Sequence, residues 1–145
     1  MAELKRKASA VWRGDLRGGD GKITTESGAL KKVAYSFSTR FENEPGSNPE
    51  ELIASAHAAC YSMAFANTLA QKGYDPKVVE THATCVLVAK DGGFEITRML
   101  LDVQVDVEGL SQAQIESIAE EADQGCPVSN LLREGLTIKV EAKLA

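Results

Sequence analysis

The chain predicts an α+β fold with mainly antiparallel strand pairing, and three observations carry that expectation. Two long β-prone stretches, residues 78–88 and 94–107, flank Lys90-Asp91-Gly92-Gly93, the clearest hairpin signal in the sequence. A helical pattern starts at Asn48-Pro49 and runs to about Lys72. The elements in order read β-β-β-α-β-β-α-α-β.

Residues 7–13 alternate loosely and predict a first strand. Gly18-Gly19-Asp20-Gly21 makes a turn into a second strand, residues 22–26, its hairpin partner. Tyr35, Phe37 and Phe41 fall on alternate positions of residues 35–41, which predicts a third strand. Turn residues then fill the exposed loop 43–47. Asn48 is a good N-cap, Pro49 suits the first helical position, and Glu51 stands where a capping box needs it. The helix that follows covers about 24 residues, roughly 36 Å, and Gly73 is its natural C′ residue. One side carries Ala54, Ser55, Ala56, Ala58 and Ala59, too small to fill a core unless another backbone comes very close. Ser111 caps a second helix from Gln112 to about Gln124, with Ile115, Ile118 and Ala119 at helical spacing. Residues 126–132 predict a short helix with Pro127 in its first turn, and residues 136–144 alternate as a final strand.

At 145 residues the chain is expected to form one domain, residues 1–145. Its 43% apolar and 26% charged residues are those of an ordinary soluble globular protein. A net charge of −5 leaves no basic stripe to neutralise a phosphate backbone, so nucleic-acid binding is not expected. No apolar run approaches the roughly 20 residues of a membrane span. The opening Met1-Ala2-Glu3-Leu4-Lys5 lacks a secretory apolar core, and the expected location is the cytoplasm. Three irregularly spaced cysteines do not form a secreted disulfide framework.

Two of those cysteines stand in different settings. Cys60 lies inside the long helical pattern, roughly three turns from Pro49. The helix macrodipole fades within about one turn, so a reactive Cys60 needs a cation to lower its pKa. Arg40, at the end of the predicted third strand, is the leading candidate, and Glu50 can orient its guanidinium through a bidentate pair. Cys126, in Gly125-Cys126-Pro127-Val128, sits where first-turn amides would stabilise a thiolate or a sulfur leaving group. Buried cysteines are ordinarily small hydrophobes, so core packing stays open for both beside thiol redox chemistry. Cys85 reads as a strand residue. His57, Cys60, His82, Cys85 and Cys126 contain no Cys-x-x-Cys or His-x-x-x-His spacing to support a metal site. Neither histidine accompanies a nucleophilic-serine motif.

Several stretches together resemble the OsmC branch of the OsmC/Ohr family of thiol-dependent organic hydroperoxide reductases. They are Thr24-Thr25-Glu26-Ser27-Gly28, Thr39-Arg40-Phe41-Glu42, Asn48-Pro49-Glu50-Glu51-Leu52, Ala56-His57-Ala58-Ala59-Cys60 and Gly125-Cys126-Pro127-Val128-Ser129. The resemblance implies an intertwined homodimer, with long central helices covered by β-sheets and two active sites at the subunit interface. It also implies a peroxidatic Cys60, a resolving Cys126, and Arg40 with Glu50 as the activating pair. In the Ohr branch the arginine comes from an earlier strand, which keeps Arg13 and Arg17 as alternatives.

The implied chemistry passes through a Cys60 sulfenic acid and a Cys60–Cys126 disulfide, recycled by an external dithiol of lipoyl type. The substrate the resemblance implies is an organic hydroperoxide, and hydrogen peroxide is expected to react less well. No metal, haem or flavin cofactor is called for. Ile53, Met63, Phe65 and Leu131 are the expected apolar contacts for an organic tail. A redox-sensing or binding protein using the same cysteine pair without turnover is the alternative.

Overall fold

The computed structural model describes residues 2–136 and 138–143. The chain divides into two compact units, one ending at Ile53 and the other beginning at Ala54.

In the first unit β1 (Ala8–Arg13), β2 (Asp20–Thr25) and β3 (Val33–Tyr35) form an antiparallel sheet in that order. Register places Trp12 and Tyr35 on either side of Gly21. Their rings tilt together over the glycine, centroids 5.4 Å apart. A Cβ on Gly21 would lie 2.5 Å from the Tyr35 ring and 2.8 Å from Trp12, so only glycine lets this pair cover the strand.

The predicted third strand is corrected here. Strand β3 ends at Tyr35, and Phe37–Phe41 form a short helix, α1. Ser36 Oγ accepts from the Thr39 amide at 3.3 Å and Thr39 Oγ1 accepts from the Ser36 amide at 2.9 Å. This reciprocal capping box satisfies backbone groups locally and outweighs the alternating pattern. Phe37 and Phe41 become i, i+4 neighbours, with ring centroids 4.9 Å apart.

Helix α2 (Pro49–Gln71) starts as its cap residues require, with Asn48 Oδ1 accepting from the Glu51 amide at 2.8 Å. It stops at Gly73, whose φ of 87° is the left-handed conformation a C′ residue needs. The Tyr74 amide then reaches back to the Leu69 carbonyl at 3.0 Å.

In the second unit β4 (Val78–Lys90) and β5 (Gly93–Asp106) form one long hairpin. Asp91 and Gly92, with φ of 44° and 82°, match the two positive-φ positions of a type I′ turn. A register shift at Val86/Leu87 leaves Thr97 as an extra residue on β5. Helix α3 (Gln112–Gly125) opens on Ser111 with a capping box to Gln114, and α4 (Pro127–Glu134) follows after one residue. Tyr61, Phe65 and Leu69 recur every fourth residue along α2, and this stripe packs with Ile118, Ala122 and Cys126 as the core. Burying Phe65 or Leu69 contributes about 1.5–3 kcal/mol each relative to exposure.

The final strand expected at 136–144 does not form among the described residues of that stretch; Thr137 and Leu144 lie outside them. Leu136, Ile138 and Val140 stand 66%, 80% and 83% exposed. A strand needs a neighbour to accept its backbone bonds, and the described part of one chain offers these residues none. Among the described residues no helix is long and apolar enough to cross a membrane.

Candidate active site

The four residues expected at the site fall into two pairs, one in each unit. Arg40 closes α1 and Glu50 opens α2. Arg40 Nη2 donates to Glu50 Oε1 at 2.8 Å, and its Nε donates to the two carboxylate oxygens at 3.1 and 3.3 Å. This fork is the geometry a guanidinium and a carboxylate prefer. The Glu50 side chain is 10% exposed and that of Arg40 35%, so the pair is held from one side and open on the other. The Arg40 guanidinium also lies 5.0 Å from the Phe41 ring centre. Trp12, Leu16, Tyr35, Phe37, Phe41 and Arg40 line a cavity of about 420 Å³.

That aromatic cavity was not among the apolar contacts expected for an organic tail. Of those, Phe65 is fully buried in the core and unavailable, while Met63 is 75% exposed. Of its lining residues, Tyr35, Phe37 and Phe41 show in the sequence as an aromatic alternation, a pattern that suits a strand as well. Of the alternative arginines, Arg17 stacks 4.6 Å from the Phe37 ring and Arg13 ends β1 opposite Asp20.

The second pair is Cys60 and Cys126. Cys60 lies mid-way along α2, half-buried, while Cys126 is fully buried where α3 ends and α4 begins. All three cysteines stand as thiols. The Cys60 and Cys126 thiols act on each other directly. Burial pushes the Cys60 thiol up; the Val128 amide draws it down and Cys126 raises it again, leaving it above its ordinary value. Burial also pushes Cys126 up, but the Ser129 amide and hydroxyl, the Cys60 thiol and the Val128 amide outweigh it and hold that thiol low. Cys126 makes no regular side-chain capping bond, so the first-turn amides act on it as oriented dipoles.

Ser129 is held in turn by His57, whose Nε2 lies 2.7 Å from Ser129 Oγ. The sequence suggests His57 as a metal ligand or a hydrolase histidine, and neither reading points to Ser129. The available signals were a histidine three residues before Cys60 and a serine three after Cys126. Burial holds the His57 pKa below its ordinary value; Asp123 opposes this and Arg133 adds to it. A cavity of about 380 Å³ opens beside His57 and Ser129, with Arg98, Asp123 and Arg133 among its lining residues. Next to the thiols, Tyr61 donates to the Ala119 carbonyl at 2.8 Å, and burial pushes its pKa up to about 12.

Cys85 pairs with Met99 within the hairpin and His82 bonds Glu80 at 2.8 Å on an exposed face. Among the described residues no group of three or more His, Cys, Asp or Glu is arranged to hold a metal ion.

Residues 41–141 match a family model described as OsmC-like protein. The chain is 42% identical over 140 residues to peroxiredoxin OsmC of Escherichia coli (strain K12), covering 97% of this chain and 98% of that one. It is 28% identical over 129 residues to organic hydroperoxide resistance protein OhrB of Bacillus subtilis (strain 168), covering 88% and 93%. A solved organic hydroperoxide resistance protein OsmC from Legionella pneumophila has the same fold, with a TM-score of 0.69, 25% identity and 93% coverage of each chain. The crystal structure of Bacillus subtilis OhrB matches with a TM-score of 0.64 at 24% identity, over 94% of this chain and 98% of that one. Glu50, Cys60 and Cys126 all fall inside the matched span, and the chain belongs to the OsmC-like protein family.

Proposed function

We propose that this protein is a peroxidase that reduces organic hydroperoxides to alcohols with a cysteine pair. The observation that carries this is that Cys60 of α2 packs against the core cluster containing Cys126 at the start of α4, where each thiol biases the ionisation of the other. The 42% identity to a peroxiredoxin supports the same reading. The Cys60 thiolate attacks one peroxide oxygen; the O–O bond breaks, and the departing alkoxide takes a proton and leaves as the alcohol. Cys60 is then a sulfenic acid. Cys126 attacks its sulfur, forming the disulfide as hydroxide departs and is protonated to water. An external dithiol, of lipoyl type in this proposal, reduces that bond by exchange and becomes a disulfide itself. We place the reaction in the cytoplasm.

The thiol pair alone leaves Cys60 the weaker acid, so its activation calls for a cation. Arg40, oriented by Glu50, fills that role in this proposal. The experiment that tests peroxidase function follows tert-butyl hydroperoxide with excess dihydrolipoamide. Many equivalents should be consumed per chain, with hydrogen peroxide slower. Consumption that stops at one equivalent would favour a redox sensor.

We further propose that residues 1–145 act as one domain in an obligate homodimer with composite sites. The family match runs from 41 to 141, across the boundary between the compact units. Glu50 and Cys60 are ten positions apart on α2, roughly 15 Å along its axis, farther than one arginine bridges. Two α2 helices packed antiparallel about an axis near Ser55 bring Glu50 of one subunit level with Cys60 of the other. The exposed Ser55, Ala56 and Ala59 permit close approach, and the exposed, alternating Leu136, Ile138 and Val140 suit pairing with a second copy. Inactive Glu50→Ala and Cys60→Ser proteins, mixed after dissociation and refolding, should recover about a quarter of wild-type activity, since half the dimers carry one intact site. No recovery despite confirmed heterodimers would assign both residues to one subunit.

A further inference from the structure

The mechanism above uses neither His57 nor Ser129, yet they are among the few buried polar side chains, 5% and 4% exposed. His57 Nε2 and Ser129 Oγ are 2.7 Å apart, and His57 Nδ1 is buried without a hydrogen-bond partner among the described residues. Two neutral tautomers fit that contact. A proton on Nδ1 would bury an orphaned N–H, which folded proteins avoid more strictly than an unused acceptor. The proton therefore sits on Nε2 and is donated to Ser129 Oγ. That bond occupies the hydroxyl oxygen and leaves its hydrogen to be donated elsewhere. Ser129 is the third residue of α4, and Cys126 is the residue that caps that helix. The hydroxyl acts on the Cys126 sulfur in the direction expected of a donor.

We propose that His57 and Ser129 are positioning residues for the resolving half-reaction: the imidazole holds the Ser129 hydroxyl with its hydrogen towards Cys126, so that this sulfur reacts as a thiolate. The role of Cys126 as resolving thiol rests on the peroxidase reading. The Cys126 thiolate attacks the sulfenyl sulfur of Cys60. The S–S bond forms, the S–O bond breaks, and the departing hydroxide takes up the proton Cys126 released on ionising. His57 changes neither charge nor redox state. Its low pKa suits this role, because burial disfavours a charged ring there in spite of the opposing pull of Asp123. The groups around these side chains are Asp123 and Arg133, which act on His57, Arg98, which lines the same cavity as His57, and Cys60, which shares the thiol equilibrium.

The test titrates the Cys126 thiolate by its ultraviolet absorbance in a Cys60→Ser, Cys85→Ser background. Ser129→Ala and His57→Leu should each raise the Cys126 pKa by about one unit, a ten-fold loss of thiolate at fixed pH. His57→Gln, whose amide nitrogen can stand in for Nε2, should restore most of it. A Cys126 pKa unchanged in both Ser129→Ala and His57→Leu would overturn the proposal. Should His57→Leu fail to fold, Ser129→Ala decides alone. In chains that keep all three cysteines, one equivalent of tert-butyl hydroperoxide should reveal slower disulfide closure in Ser129→Ala, more strongly slowed than oxidation of Cys60. Absence of any Cys60 oxidation would refute the peroxidase reading, while the titration would still decide whether His57 and Ser129 tune Cys126.

Discussion

Cys60→Ser should consume no hydroperoxide above background, whereas Cys126→Ser should consume one equivalent per site and then recycle poorly. In the proposed mechanism the first variant removes the sulfur that attacks the O–O bond. The second would leave that sulfur in place but remove the thiol proposed to close the disulfide. Mass spectrometry after one equivalent of peroxide should find the sulfenic acid on Cys60 in Cys126→Ser. The electrostatics of the pair make this a demanding test. Cys126 is the thiol held low and Cys60 the one held high, so a sulfenic acid on Cys126 in the Cys60→Ser protein would reverse the two roles. The pH dependence has a definite sign. Cys126 raises the Cys60 pKa, so its removal should shift the Cys60 oxidation profile towards lower pH. A profile unmoved, or moved upward, would contradict the coupling of the two sulfurs.

Arg40→Ala should lose on the order of 10²–10³-fold in the rate of Cys60 oxidation, and Arg40→Lys distinctly less. Burial leaves Cys60 short of thiolate, and a guanidinium beside it would both restore the anion and stabilise charge on the departing oxygen. Lysine keeps the charge but cannot reproduce the three bonds that Arg40 makes to Glu50. The variants should also separate in a thiolate titration of Cys60, with the alanine protein higher. An Arg40→Ala protein whose Cys60 pKa and rate match wild type would transfer the role to Arg17, which stacks on Phe37, or to Arg13.

Local chemistry written in short stretches is legible in the residues themselves. Asn48-Pro49 at the head of α2, Gly73 at its end, Ser111 before α3 and the Asp91-Gly92 turn each specify backbone geometry through their own side chains or their lack of one. Arg40 facing Glu50 was legible for a similar reason, since one short loop connects the elements that carry them. Residues 35–41 were misread because alternation of Tyr35, Phe37 and Phe41 suits a strand as well as it suits a strand end followed by a helical turn. The bonds between Ser36 and Thr39 decide between them.

The residues on their own specify the α+β class, its antiparallel pairing and the caps at the heads of α2 and α3, and they nominate Arg40, Glu50, Cys60 and Cys126 as candidates. Long-range packing adds that Ser129 meets His57 across 72 positions of chain, that burial holds the Cys60 thiol high, and that Phe65 belongs to the core. Caps and turns are satisfied within a few residues, so their pattern is local and visible. Burial, thiol coupling and the alignment of a hydroxyl with a sulfur depend on which distant elements fold together, and no local pattern records that.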